Sequence, residues 1–101
     1  MNDTVWYVYL LECQTARIYT GVTPKLDRRI TMHRKGRGAL FTRINKPERL
    51  LAAKPFPNHR EAMLMEAQVK RMPAAGKRFL ARLWSEEHPI DKLSEEALAL
   101  Q

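Results

Sequence analysis

A single cysteine, Cys13, stands in 101 residues, so no intrachain disulfide can form. A lone cysteine also excludes a multi-cysteine zinc site and fits a reducing, cytoplasmic setting. A nucleophilic role for Cys13 would need an activating base beside it, and the sequence names none, so it is expected to fill the end of a strand. No apolar run approaches the length of a membrane span, and the N-terminus lacks the basic-then-apolar layout of a secretory signal. Internal repeats, linkers and low-complexity tracts are missing too. Acid is in short supply: 11 Asp plus Glu face 18 Lys plus Arg, for a net charge of +7. The shortage is local. From Arg28 to Arg49 the chain carries Arg28, Arg29, Arg34, Lys35, Arg37, Arg43, Lys46 and Arg49, with Glu48 as the only acid. A second basic zone holds Lys70, Arg71, Lys77, Arg78 and Arg82, whereas residues 86–101 are acidic with Lys92 as their only base. Such blocks favour a polyanionic partner, nucleic acid before anionic membrane, although a basic soluble domain without such a partner has the same composition.

What is present is enough for one modest core. Val5 to Glu12 reads as a strand. Tyr7, Tyr9 and Leu11 face one way, and Trp6, Val8 and Leu10 the other, so both faces are expected to be covered. Arg17 to Val22 reads as its hairpin partner. With a loop at Cys13-Gln14-Thr15, Tyr9 falls opposite Tyr19, whereas a one-residue slip would send them to opposite faces. Gly21 removes a side chain, which lets a ligand or another backbone approach. Thr23-Pro24 predicts a helix start and Gly36 its stop after Lys35, with Leu26 and Ile30 buried and Arg29 and His33 sharing the edge of that stripe. Arg28, Arg34 and Lys35 are expected to face solvent. Gly36-Arg37-Gly38 is a basic turn, and Ala39 to Asn45 has no clear period, so a short helix and a loop both fit. Arg49 to Lys54 reads as a third strand, bounded by Pro47 and by Pro55-Phe56-Pro57. Asn58 with Glu61 has capping-box form and predicts a helix to about Met72, with Ala62, Met65, Val69 and Met72 on its apolar stripe. Met63, Met65 and Met72 are expected in the core, and His59 and His88 without notable partners. Ala74 to Trp84 predicts a last helix with Phe79, Leu80 and Leu83 on its apolar face. The fold class is α+β, a small three-stranded antiparallel sheet flanked by helices in the order β-β-α-β-α-α. Residues 1–84 form the domain; 85–101 form an acidic C-terminal helix or tail, with Leu93 to Leu100 helical.

Tyr7-Val8-Tyr9, Tyr19-Thr20-Gly21, Arg29 with His33, the Gly36-Arg37-Gly38 turn and the late Glu66 together resemble the GIY-YIG nuclease superfamily, most of all its small stand-alone bacterial members. In the first signature the Gly and Ile positions are replaced and only the final Tyr stands. No Asn follows Asn58, so a contact some members make from their last helix is absent or replaced. The resemblance implies an active site on one face of the sheet, using Tyr9, Tyr19, Arg29 and Glu66. It also implies hydrolysis of a nucleic-acid phosphodiester with Mg²⁺ or Mn²⁺; DNA is the expected substrate ahead of RNA.

That chemistry is coherent from the residues upward. A divalent ion on one carboxylate, Glu66, can keep water and phosphate oxygens as its other ligands. Arg29 offers a fork to phosphate oxygens. Tyr9 is expected as general base, with Tyr19 orienting water or phosphate and His33 assisting proton transfer or holding a phosphate. A phenol is a poor base unless a cation and an arginine favour its phenolate. Arg28, Arg34, Lys35, Arg37, Thr42, Arg43 and Lys70 would track the nucleic-acid backbone. Blander readings fit the same residues: tyrosines packing in strands, Glu66 and Lys70 as a surface i,i+4 pair, Arg29 as one more solvated base. A non-catalytic nucleic-acid-binding module or adaptor on the same fold is the alternative function, and a basic protein-interaction domain a third.

Overall fold

The computed structural model describes residues 4–90. Three antiparallel strands, β1 (Trp6–Cys13), β2 (Ile18–Thr23) and β3 (Pro47–Phe56), form a sheet of order β2-β1-β3. Helices α1 (Leu26–Arg34), α2 (Leu40–Ile44), α3 (His59–Lys70) and α4 (Ala74–Glu87) flank it. The α+β class and element order are those expected, with α2 a short helix between α1 and β3.

β1 is central and covered on both faces, as its alternation requires. Val8 and Leu10 pack with Ala52 beneath α3 and α4, against Ala62, Val69, Ala81 and Trp84. Tyr9 and Leu11 pack on the opposite face with Leu50 and Ala53 against Ile30 of α1. This second face carries the candidate site.

β3 runs longer than expected, because Pro47 and Pro55 are accommodated within it, opposite Cys13 and Tyr7. An edge strand tolerates proline, since its outward N–H has no ladder partner to lose. A bulge between Leu10 and Leu11 in the β1–β3 pairing skips Leu51. Leu50 therefore packs on one face while Leu51 and Ala52 both pack on the other, which explains the unbroken apolar run.

The β1–β2 register differs from the expectation. Tyr9 lies opposite Gly21 and Tyr19 opposite Leu11, a shift of two residues that keeps both tyrosines on one face. The loop takes four residues, 14–17, with Ala16 at a left-handed φ of 68°. Arg78 of α4 holds this loop: its guanidinium donates to the Ala16 carbonyl at 2.9 Å and to Glu12. Glu12 also accepts from Arg49 at 2.9 Å. The two arginines keep its carboxyl below the usual range, so Arg49 and Arg78 are structural members of the basic zones.

Asn58 caps α3 as expected, accepting from the Glu61 N–H at 2.9 Å. α3 ends at Lys70, one half-turn before the expected Met72. α1 begins later than expected, because Thr23 remains in β2 opposite Tyr7 and its hydroxyl accepts from the Lys25 N–H at 3.1 Å. A residue before proline favours extended backbone, which suits the strand end. α4 buries Ala81 and Trp84 in the core beneath it, whereas Phe79 and Leu83 are exposed. Met63 is exposed, one residue off the Ala62–Val69 stripe. His59 does have a partner, stacking on Trp6 with ring centroids 3.9 Å apart. The expected Leu93–Leu100 helix lies outside the described residues. No helix among the described residues is long and apolar enough to cross a membrane.

Candidate active site

The site is built around Tyr9, which is fully buried at the centre of β1. Its ring lies over the neighbouring strand where Gly21 has no side chain. A Cβ on Gly21 would collide with the Tyr9 hydroxyl and Cζ, and would come within 2.9 Å of Tyr19 Cε2. The glycine thus makes room for a catalytic candidate of the same chain, whereas the sequence pattern suggested room for a ligand. In urea titrations Gly21→Ala is expected to destabilise by about 1–3 kcal/mol, the usual cost of forcing an overpacked core. Gly76, in α4, has no neighbour within 3.6 Å of where a Cβ would stand, so Gly76→Ala is expected to be neutral or stabilising in the same measurement.

α1 supplies Arg29 and His33. They are four apart and so lie on one face of the helix. His33 is fully buried between the two tyrosines: its ring centroid is 5.8 Å from that of Tyr9 and 5.0 Å from that of Tyr19. Its Nε2 is 2.8 Å from the Tyr9 hydroxyl, and its Nδ1 is 2.6 Å from the Thr42 hydroxyl. Gly38 closes over the same ring, for a Cβ there would collide with it. Burial, with the Arg29 charge beside it, lowers the His33 pKa to about 4, so the imidazole is neutral near pH 7. Burial likewise holds the Tyr9 phenol well above its ordinary range, and the Arg29 hydrogen bond to its oxygen opposes that effect. Tyr9 above all, and Tyr19 to a lesser degree, favour the charged form of Arg29.

Glu66 arrives from α3, whose buried residues belong to the other face of the sheet. Its side chain is 14 % exposed and pairs with Lys70 at 3.5 Å. Its charge is nevertheless felt at Tyr9, where it raises the phenol pKa. Tyr9, Tyr19, Arg29 and His33 are therefore directly assembled, with Glu66 within electrostatic reach. No group of three or more metal-ligating His, Cys, Asp or Glu side chains occurs among the described residues. A hard divalent ion held by one carboxylate, with water and phosphate oxygens completing its shell, is compatible with that donor set.

The expected backbone-tracking residues divide. Arg28, Lys35 and Arg37 are exposed around one shallow basic pocket. Arg34 is half-buried, contrary to the expected solvent position, and lines a cavity of about 550 Å³ with Lys35, Arg43 and Lys46. Gln14 and Thr15 of the hairpin loop face the same cavity, which sequence spacing had no means of revealing. Thr42 is 1 % exposed, so it does not offer a phosphate contact. Its hydroxyl is engaged by His33 and by the Ala39 carbonyl at 3.0 Å. The His33 ring is also fully buried, with both nitrogens engaged by Tyr9 and Thr42.

Residues 5–78 match the GIY-YIG catalytic domain. The chain belongs to the GIY-YIG family. This GIY-YIG domain is 47 % identical over 79 residues to the UPF0213 protein Reut_B5558 of Cupriavidus pinatubonensis, covering 77 % of this chain and 88 % of that protein. It is 44 % identical over 82 residues to the UPF0213 protein H16_B0156 of Cupriavidus necator, covering 80 % and 89 %. Its structure is similar to the solution NMR structure of the UPF0213 protein BH0048 from Bacillus halodurans, with a TM-score of 0.51 and 44 % identity, covering 78 % of this chain and 84 % of that one. Tyr9 and Tyr19, the tyrosines expected to carry the family's signature, lie on one face of its sheet.

Proposed function

We propose that this GIY-YIG domain is a divalent-metal-dependent endonuclease that hydrolyses nucleic-acid phosphodiester bonds, with DNA as its preferred substrate. The observation that carries the reading is the Tyr9–His33 contact. A neutral imidazole nitrogen 2.8 Å from a phenol oxygen can accept the phenolic proton, while Arg29 beside the same oxygen favours the phenolate. Tyr9 then acts as general base toward water; His33, which burial and the Arg29 charge keep a weak base in the free protein, would take the phenolic proton once a bound phosphate offsets the Arg29 charge. Arg29 and Tyr19 hold the scissile phosphate, the arginine through its donor fork. Arg34, Lys35, Arg43 and Lys46 hold flanking phosphates, and Arg28 and Arg37 extend that surface. Glu66 would hold Mg²⁺ or Mn²⁺, and Lys70 would exchange its carboxylate partner for a phosphate when the ion is in place. An ion there supplies Lewis-acid stabilisation of the phosphate charge and the leaving oxygen.

The test is incubation of the pure protein with single-stranded, duplex and branched DNA, and with RNA, in Mg²⁺ or Mn²⁺. Cleavage is expected with metal, to be lost with EDTA and in Glu66→Gln. Metal-dependent cleavage that survives Glu66→Gln would sink the site assignment. One observation favours the second reading, a nucleic-acid-binding module without catalysis: Tyr9 is closed off from solvent. Salt-sensitive binding with no cleavage of any substrate would establish that reading.

A further inference from the structure

The residue whose placement departs most from expectation is Thr42. It lies on α2, away from both signature strands, yet its hydroxyl meets the catalytic histidine candidate at 2.6 Å. A hydroxyl has one proton. The Thr42 oxygen is 3.0 Å from the Ala39 carbonyl, which only accepts, so that proton lies toward Ala39. Thr42 must then accept from His33, and the imidazole proton sits on Nδ1. Nε2 is left with a lone pair, aimed at the Tyr9 hydroxyl 2.8 Å away. Arg29 favours the Tyr9 oxygen electrostatically, but the sense of the chain is set from its other end, where the Ala39 carbonyl can only accept.

We propose that Thr42 is a positioning residue that fixes His33 in its Nδ1–H tautomer, completing one directed chain of hydrogen bonds: Tyr9 to His33, His33 to Thr42, Thr42 to the Ala39 carbonyl. The acceptor-only carbonyl at its end sets the sense of every bond before it. Without the threonine hydroxyl, a proton on Nδ1 would be buried with no acceptor, which costs about 1–3 kcal/mol. The ring would move its proton to Nε2. Tyr9 would then receive the His33 proton, and its own proton would lose the Nε2 acceptor. The chain makes Thr42 necessary to the base without touching substrate. Gly38 supports the arrangement, since any side chain there would displace the ring.

The tautomer can be read in the free protein by long-range ¹H–¹⁵N NMR of the His33 ring near pH 7.5. Wild type is expected to show a protonated Nδ1 and an unprotonated Nε2. Thr42→Val, close in volume but without the hydroxyl, is expected to shift the proton to Nε2 or to average the two signals. Thr42→Ser is expected to restore the wild-type pattern. A wild-type ring protonated on Nε2, or an unchanged ring in Thr42→Val, overturns the proposal. The consequence for cleavage rests on the nuclease reading: Thr42→Val should lower kcat about 10-fold with KM unchanged, the worth of roughly one hydrogen bond, and Thr42→Ser should recover it. The NMR result is independent of any cleavage. A failed nuclease reading with a Thr42-dependent tautomer, and a working nuclease with a Thr42-independent one, are therefore separate outcomes, the first upholding the tautomer and the second refuting it.

Discussion

Arg29→Ala is expected to lower metal-dependent cleavage by about 10³-fold or more, the effect seen when a positioned arginine is removed from a phosphoryl-transfer site. Arg29 is half-buried on α1, and both Tyr9 and Tyr19 favour its charged form. Its removal takes away the phosphate fork and also the group that opposes the burial of Tyr9. Arg29→Lys keeps the charge but loses the planar pair of donors, so only partial recovery is expected. A second measurement needs no substrate. Arg29 is the secondary cause of the depressed His33 pKa, after burial. In Arg29→Ala the His33 titration, followed by NMR, should therefore move up from about 4 but stop short of 6.5, because the ring remains buried. Undiminished cleavage in Arg29→Ala would refute the catalytic role; an unmoved His33 would refute the electrostatic geometry.

Acid should destabilise the fold before most of its carboxylates titrate. His33 has a pKa of about 4 in the folded chain against an ordinary 6.5. Between those values the unfolded chain binds the proton and the folded chain does not, so unfolding takes up a proton and stability falls as pH falls. The contribution is fully present above pH 6.5 and fully lost below about 4, and the gap corresponds to about 3 kcal/mol. His33 is completely buried, so solvent screening does not shrink this effect. Glu12, whose carboxyl is lowered by Arg78 and Arg49, loses its contribution at more acid pH, below the ordinary carboxylate range, and is separable on that ground. Urea titrations from pH 7.5 to 4 should show the fall in wild type. They should show a nearly flat profile in His33→Gln over the same interval. A wild-type profile as flat as the variant's would mean that His33 protonates in the folded chain near its ordinary value.

Much of the fold was legible because its signals are local. Two-residue alternation in Trp6 to Leu11 announces a strand covered on both faces, and Asn58 with Glu61 announces a capped helix. The ordered set Tyr9, Tyr19, Arg29, Glu66 carried the family. Other features escaped because a distant partner decides them. The hairpin register depends on Ala16 adopting a left-handed φ, and Arg78, 62 residues away, accepts that geometry by binding its carbonyl. The bulge at Leu51 exists only in the pairing with β1. Phe79 and Leu83 look more apolar than Ala81, yet it is Ala81, on the turn of α4 that faces the core with Trp84, that is buried.

The sequence by itself determined the chemistry available here: two phenols, an arginine, a histidine and one carboxylate, on elements whose periods put the tyrosines on strands and Arg29 with His33 on one helix face. Tertiary structure decided how those groups are wired. Gly21 reads from sequence as an opening for a ligand, and only packing shows that its missing Cβ is filled by the Tyr9 ring. Thr42 reads as one more polar residue in a basic loop, and only the fold of α2 onto α1 turns its hydroxyl inward to His33. The physical reason is the same in both cases. Which residues are polar or aromatic is a property of the chain, but which hydrogen bond each one makes is a property of the single partner left within about 3 Å after packing excludes water.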